Sequence, residues 1–157
     1  MNQNPRGQQG GQRGGQQGYR RDRGGGPPPA KLDTSRIQFS PVEEELFSDV
    51  ARSVAKAIAD SQDRNRNKST QLRKFYDELS MWEERVRRSP DTFKDHLPFI
   101  KMLNAKAAYA NGRKLVDDNF CTLMEHSLKQ VNSAEDLRIC KTFFEAFMGF
   151  LRQYKGE

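Results

Sequence analysis

Apolar side chains recur every three or four residues through most of the second half of the chain, and this spacing constrains the fold more than any other feature. In the stretch QLRKFYDEL, at 71–79, four such side chains stand at i, i+3, i+4 and i+7 and therefore share one helical face: Leu72, Phe75, Tyr76 and Leu79. No stretch alternates β-branched and polar residues as a half-buried strand does. The sequence predicts an all-α fold, a compact bundle of about five helices.

Capping residues and prolines set the expected bounds of these helices. The motif Ser40-Pro41-Val42-Glu43 has the residues of a capping box, so the first helix is expected from Pro41 to about Ala59. A short helical turn is expected at 91–98, and Pro98 would lie in the first turn of the third helix. The remaining helices are expected at about 70–87, 98–110, 114–130 and 134–154, with Ser69 and Ser133 as caps.

The N-terminal part of the chain has a different composition. Residues 1–30 hold nine of the twelve glycines, six glutamines and five arginines. Such a segment buries too little apolar surface to offset its ordering entropy, which predicts disorder. We therefore expect two units, a disordered RGG-like tail with a proline spacer at 1–33 and a helical domain at 34–157. The tail carries six basic and two acidic residues, and so supplies most of the net charge of +6.

The stretch from Leu97 to Val116 contains Lys101, Lys106, Arg113 and Lys114 but no aspartate or glutamate. On a helix, four of its residues form one stripe that mixes two cations with an aromatic ring: Met102, Lys106, Tyr109 and Arg113. A solvated helix face usually mixes both charge signs, whereas a surface that contacts a polyanion excludes acids. The stripe favours phosphate contact, and chance clustering on a solvated face is the alternative.

Arg73 and Lys74 lie at the flank of the second helix's apolar stripe. Arg73 could form an intrahelical pair with Asp77 at i+4, which would be worth about 0.3 to 0.5 kcal/mol. Alternatively, both cations extend the basic stripe of the third helix. The preceding loop, with Arg64 and Arg66, would continue the same surface.

Two further segments suggest partners. Arginines spaced by glycine in the tail resemble RGG segments that bind RNA, although a solubilising linker has the same composition. In the last helix, Phe143, Phe147 and Phe150 stand well round from Leu137 and Cys140. One of these two faces would be an exposed apolar patch, which favours self-association or docking to another subunit.

Catalysis and cofactor binding find little support in the sequence. His96 and His126 are isolated from any nucleophile, and no metal-binding or phosphate-loop motif occurs. Cys121 and Cys140 sit among apolar residues and are expected to be reduced core thiols. No apolar run is long enough for a membrane span. We therefore expect a cytoplasmic protein that is not an enzyme and holds no metal or cofactor.

Two motifs, TQLRKFYDEL at 70–79 and LPFIKMLNAKAAYANGR at 97–113, resemble the small helical subunit of type III-A CRISPR effector complexes, the Csm family. The resemblance covers the folded body from about residue 40 onward. It implies an all-α subunit without nuclease activity. Such subunits line up in several copies along the guide RNA and target RNA, beside other effector subunits in antiviral defence, and contact the RNA backbone without reading its sequence.

The resemblance also assigns RNA contact to basic positions of the two motifs: Arg73, Lys74, Lys101, Lys106 and Arg113. Tyr109 lies on the same stripe, and Arg64 and Arg66 are the loop candidates. Three alternatives stay open at this point. The protein could be a free-standing RNA-binding or RNA-chaperone protein that acts through its tail, a helical adaptor that binds no nucleic acid, or the small subunit of the related type III-B complexes.

Overall fold

Six α-helical segments make up most of residues 30–156, the part of the chain that the computed structural model describes. They are α1 (Ala51–Ala59), α2 (Ser69–Arg88), α3 (Phe93–Lys101), α4 (Leu103–Gly112), α5 (Asp118–Lys129) and α6 (Ala134–Lys155). A π-helical turn, Leu46–Val50, precedes α1, and a 3-10 turn, Pro90–Thr92, precedes α3. No strand occurs between residues 30 and 156, so the predicted all-α bundle is confirmed.

The centre of the bundle is α6, which packs against both α1 and α2. Its Phe143 and Phe147 are fully buried, as are Leu137 and Cys140, and Phe150 is half-buried against the core. The predicted exposed patch on α6 is therefore wrong for Phe143 and Phe147, because α6 packs against α1 and α2. The burial of these two rings removes most of the apolar surface that favoured self-association or docking through this helix.

Residues 30–43, here called the N-terminal arm, run along α5 without helical structure. Leu32, Ile37 and Phe39 of the arm are buried in the core. The N–H of Phe39 donates to Gln130 Oε1 at 3.0 Å, and the carbonyl of Ile37 accepts from Gln130 Nε2 at 2.7 Å. Residues 30–33, which the sequence assigns to the tail, thus pack on the body; the rest of the predicted disordered tail lies outside the described residues.

The predicted start of the first helix is wrong. Helical structure begins only at Leu46, and an isolated bridge joins Phe39 to Val42 across the cis peptide Ser40–Pro41. The carboxylate of Glu43 accepts from Arg36 at 2.7 Å and not from a capped backbone N–H. The local capping signal is overridden by the hydrogen bonds that hold the arm to α5. The predicted end at Ala59 is confirmed.

The bounds of α2 and α6 match the prediction to within one residue at each end. Ser133 caps α6 by accepting from the N–H of Asp136 at 3.1 Å, as expected. The cap of α2 is Lys68, and Ser69 is the first helical residue, so that assignment is wrong by one position. The chain leaves α2 just before Pro90, because the residue preceding a proline is disfavoured in the helical region.

The third and fourth predicted helices begin at other residues. α3 starts at Phe93, so Pro98 lies inside it, and the helix breaks at Met102, four residues later. α5 starts at Asp118 and not at Lys114, because Lys114 has a left-handed backbone with φ of 60° and Asp117 supplies the cap. Apolar residues nevertheless keep their helical spacing through the break from α3 to α4, and four of them are buried: Ile100, Leu103, Ala107 and Ala110.

Candidate nucleic-acid interface

A groove between α2 and α4, with a volume of about 260 Å³, brings together four of the eight predicted contact residues: Lys74, Lys106, Tyr109 and Arg113. We call it the α2–α4 groove. Phe75 and Ala110 also line it, and both are buried core residues. The cations therefore stand on the walls of a groove with apolar residues beneath.

The position of α4 follows from its small buried residues. Ala107 and Ala110 are buried where α4 packs on α5, and the Ala107 carbonyl lies 3.5 Å from the Cys121 thiol. Small side chains allow two helices to approach closely. The opposite stripe of α4 then faces outward, with Tyr109 and Arg113 in neighbouring turns.

Tyr109 is the most exposed large aromatic or aliphatic residue in the described chain, with 68% of its surface accessible. The guanidinium carbon of Arg113 lies 5.8 Å from the centroid of its ring, which is within the range of a cation–π contact. Arg113 forms no ion pair with the residues described. Its charge therefore stands unpaired by any described carboxylate, beside an exposed aromatic ring that lines the same groove.

Lys106 has an acidic partner that the sequence analysis did not foresee. Its Nζ lies 2.7 and 2.9 Å from the two carboxylate oxygens of Glu78 on α2. The stretch at 97–116 has no acid of its own, but the fold supplies one from the neighbouring helix. Lys74 and Glu78 are four residues apart and share a face of α2. That spacing was the signal that could have identified Glu78.

Arg73 lies in a different groove from Lys74. It lines a groove of about 390 Å³ between α2 and α6, together with Tyr76 and Arg152. Its Nε lies 3.2 Å from Asp77 Oδ1, so the intrahelical pair named as an alternative is present. Both side chains are more than half exposed, which leaves this pair weak. Arg152, in the last turn of α6, is not among the predicted contact residues, because only the apolar residues of that helix were used for prediction.

The remaining predicted contact residues lie apart from the α2–α4 groove. Lys101 ends α3 and is half-buried, and Arg64 is exposed in the α1–α2 loop. Arg66 has a structural role, because its side chain forms hydrogen bonds within the fold. Its Nη1 donates to Asn111 Oδ1 at 3.2 Å and to the Val116 carbonyl at 3.3 Å.

Asn67, next to Arg66, is fully buried and joins three segments. Its side-chain oxygen accepts from the N–H of Asp117 at 3.1 Å, and its Nδ2 donates to the Ile58 carbonyl at 3.3 Å. Its own N–H donates to the Leu115 carbonyl at 2.9 Å. The α1–α2 loop is therefore a structural junction with the α4–α5 connection.

The histidines and cysteines occupy packed positions. A ring nitrogen of His126 lies 2.9 Å from the Ile37 carbonyl, and the His96 ring lies 5.2 Å from that of Trp82. Both cysteines are free thiols, and burial raises the pKa of each above its usual range, more so at Cys140.

Nowhere in residues 30–156 do three or more His, Cys, Asp or Glu side chains gather as a possible metal site. Every helix in that range is too short or too polar to cross a bilayer.

A model of the family described as Csm2 Type III-A matches residues 44–157, which is more than half of the chain. No curated protein and no solved structure matches. The N-terminal arm and the arginine-rich tail lie ahead of the matched region. The chain thus belongs to the Csm2 Type III-A family and is a small subunit of the type III-A CRISPR Csm complex.

Proposed function

We propose that this chain is a non-catalytic subunit that binds the RNA backbone through the α2–α4 groove without reading sequence. One observation carries the proposal: Lys74, Lys106 and Arg113 line one groove with an exposed tyrosine in a member of a CRISPR effector family. In the assembled effector, that backbone would belong to the guide RNA or the target RNA. The setting would be cytoplasmic antiviral defence.

The proposed binding is electrostatic. Cations that neutralise phosphates release condensed counterions, so affinity falls steeply as salt rises. Lys106 is accessible, so a phosphate in the groove would replace the Glu78 carboxylate as its partner. The groove presents lysines, an arginine and a tyrosine, and none of these side chains is fixed in a geometry that distinguishes one base from another.

Three cations bind RNA weakly, and stacking of copies would compensate. Copies of the chain placed side by side along one RNA, next to the other effector subunits, convert weak contacts into a stable array by raising the effective concentration. The chain's role would then be to hold RNA in place. The engagement of His126 with a backbone carbonyl and the burial of Cys140 are consistent with a subunit that does no chemistry.

The test compares two triple variants of the full chain. One changes Lys74, Lys106 and Arg113 to glutamine, and the control changes Lys56, Lys94 and Lys129, which are exposed elsewhere and reduce the net charge equally. Binding of a fluorescent single-stranded RNA is measured by anisotropy at about 50 and about 200 mM salt. The groove variant should bind at least about tenfold more weakly, with a salt slope reduced by about 2.

The control variant should keep most of the affinity. Equal losses in the two variants would contradict the groove assignment, because net charge alone would then explain binding. A third variant, with the five tail arginines changed to glutamine, tests the alternative that the protein binds RNA through its tail. If it alone loses binding, the protein acts on RNA through its tail and the groove proposal fails.

A further inference from the structure

A cleft of about 530 Å³ lies beside the start of α5 and is acidic within a basic protein. Asp63, Asp117 and Asp118 line it, against the two cations Lys31 and Arg66. Arg66 does not bond to Asp117; it donates to Asn111 and Val116 and lies 3.4 Å from Asp63. We call this feature the Asp117 cleft.

The carboxylate of Asp117, a residue that lines this cleft, has one buried oxygen without a hydrogen-bond donor among the described residues. The residue is only 7% exposed. One oxygen caps α5 by accepting from the N–H of Phe120 at 3.0 Å, whereas the other accepts no hydrogen bond from the described residues. A buried carboxylate oxygen without a donor is unfavourable, and such a group usually indicates an absent partner that is cationic or donates a hydrogen bond.

The arginine-rich tail leaves the folded body at the lip of the same cleft. Asn119 lines the cleft and clasps the end of the N-terminal arm. Its Nδ2 donates to the Ala30 carbonyl at 2.9 Å, and its Oδ1 accepts from the N–H of Leu32 at 3.0 Å. Two hydrogen bonds thus fix the point from which residues 1–29 depart.

Three arginines lie close to that point along the chain: Arg20, Arg21 and Arg23. The seven residues from Arg23 to Ala30 span at most about 25 Å when extended. The triple glycine at 24–26 can reverse the chain direction, since glycine adopts both signs of φ with ease. A tether of this length holds its arginines at an effective concentration in the millimolar range beside the cleft.

We propose that the Asp117 cleft binds a guanidinium group of the chain's own tail, from the segment Arg20–Arg23. The planar guanidinium presents several N–H donors and pairs well with carboxylates, and Asp63 and Asp118 stand exposed on the cleft wall. The buried charge of Asp117 adds attraction from below. An RNA phosphate is repelled by the same three carboxylates, so this cleft and the α2–α4 groove take ligands of opposite charge.

The test uses ¹H–¹⁵N spectra of the full chain. Changing Arg20, Arg21 and Arg23 to glutamine should shift the backbone amides of Asp117, Asp118, Asn119 and Thr122, which line the cleft. The control changes Arg6 and Arg13, which lie farther from the root of the tail, and should leave those amides in place. Unmoved cleft amides in the first variant, or equal shifts in both, would overturn the proposal.

A second measurement adds N-acetyl-arginine amide to the variant that lacks the three arginines. The free guanidinium should shift the same amides in a saturable way, and an Asp117→Asn change should weaken that binding by at least about tenfold. Asparagine caps helices as well as aspartate, so α5 should remain folded, and its unchanged amide pattern checks this. Absence of saturable shifts at the cleft would refute a guanidinium site.

Discussion

The α1–α2 loop and the α2–α4 groove contain the same kinds of polar and basic residues, but the fold uses them in different ways. In the loop, Arg66 and Asn67 donate to carbonyls of Val116 and Ile58 and are half-buried or buried. In the groove, Lys74 and Arg113 are exposed and form no ion pair with the described residues. One region is a structural junction, and the other is an exposed surface on which two of the three cations have no described acidic partner.

The difference follows from the backbone groups that each region must satisfy. The connection between α4 and α5 turns away from helical geometry at Lys114, which leaves the carbonyls of 115 and 116 and the N–H of 117 without helical partners. Buried backbone groups without partners are costly, and Arg66 and Asn67 supply them. Helix α4 satisfies its own backbone, so its side chains remain available. A cation's role here depends on the backbone near it more than on its residue type.

The largest effect should come from removing the junction. An Asn67→Ala change leaves the Asp117 N–H and the Ile58 carbonyl unpaired and puts alanine at φ of 54°. We expect a loss of about 3 kcal/mol or more in the free energy of unfolding, measured by urea denaturation. Asn65→Ala, at an exposed position of the same loop, is the control and should change stability by less than about 0.5 kcal/mol. A loss below about 1 kcal/mol at Asn67 would show that the loop is not a junction.

A crossed pair of arginine changes tests the comparison directly. Arg66→Ala should lower stability by about 1 to 2 kcal/mol, because Asn111 and the Val116 carbonyl lose a donor, and should leave RNA affinity nearly unchanged. Arg113→Ala should leave stability nearly unchanged and weaken RNA binding. Its stability should stay within about 0.5 kcal/mol, and its salt slope for single-stranded RNA should fall by about 0.7. If both variants lost RNA affinity equally, the loop would belong to the binding surface.

Signals within or next to single helices were sufficient to predict much of this fold. The apolar stripe of α2 and the Ser89-Pro90 pair beyond it predicted its bounds to within one residue, and Ser133 with Asp136 predicted the start of α6. These signals are local, because every partner lies within one helix. The start of the first helix was wrong for the complementary reason. The chain just before the predicted cap is held instead by a distant residue, because the N–H of Phe39 donates to Gln130, 91 residues further along.

The candidate site shows the same limit. Lys106, Tyr109 and Arg113 could be placed on one face because they share a helix, and the structure places them in one groove. Spacing within α4 could not reveal Glu78, which comes from another helix. Spacing within α2 points Arg73 and Lys74 about 100° apart, but only the packing of α4 and α6 shows that each lines a different groove. Charge patterns within a helix therefore predict faces, and packing decides which faces meet.

The turn between the two regions offers a smaller effect. Lys114 has φ of 60°, and hydrogen bonds from Lys114 N to Asn111 O and from Leu115 N to Ala110 O form a Schellman motif that favours glycine at this position. Lys114→Gly should raise the free energy of unfolding by about 0.5 to 1 kcal/mol, measured by urea denaturation. Lys114→Ala keeps the strain and removes the same charge, so it should bring no gain. Equal stabilisation in both variants would attribute the effect to charge.

The smallest effect concerns the acid that the fold brings into the groove. Glu78→Gln removes the charge that holds Lys106, so RNA should bind about two- to fivefold more tightly at low salt, a gain in the range of an exposed ion pair. Glu84→Gln is the matched control, because Glu84 lies on the same helix and pairs with Arg88 at 2.6 Å outside the groove. Anisotropy titrations of both variants make the comparison.

Equal gains from the two changes would mean that RNA responds to net charge and not to the groove. A weaker affinity in Glu78→Gln would mean that the carboxylate positions Lys106 for phosphate and does not compete with it. A gain confined to Glu78 would place Lys106 among the residues that contact RNA.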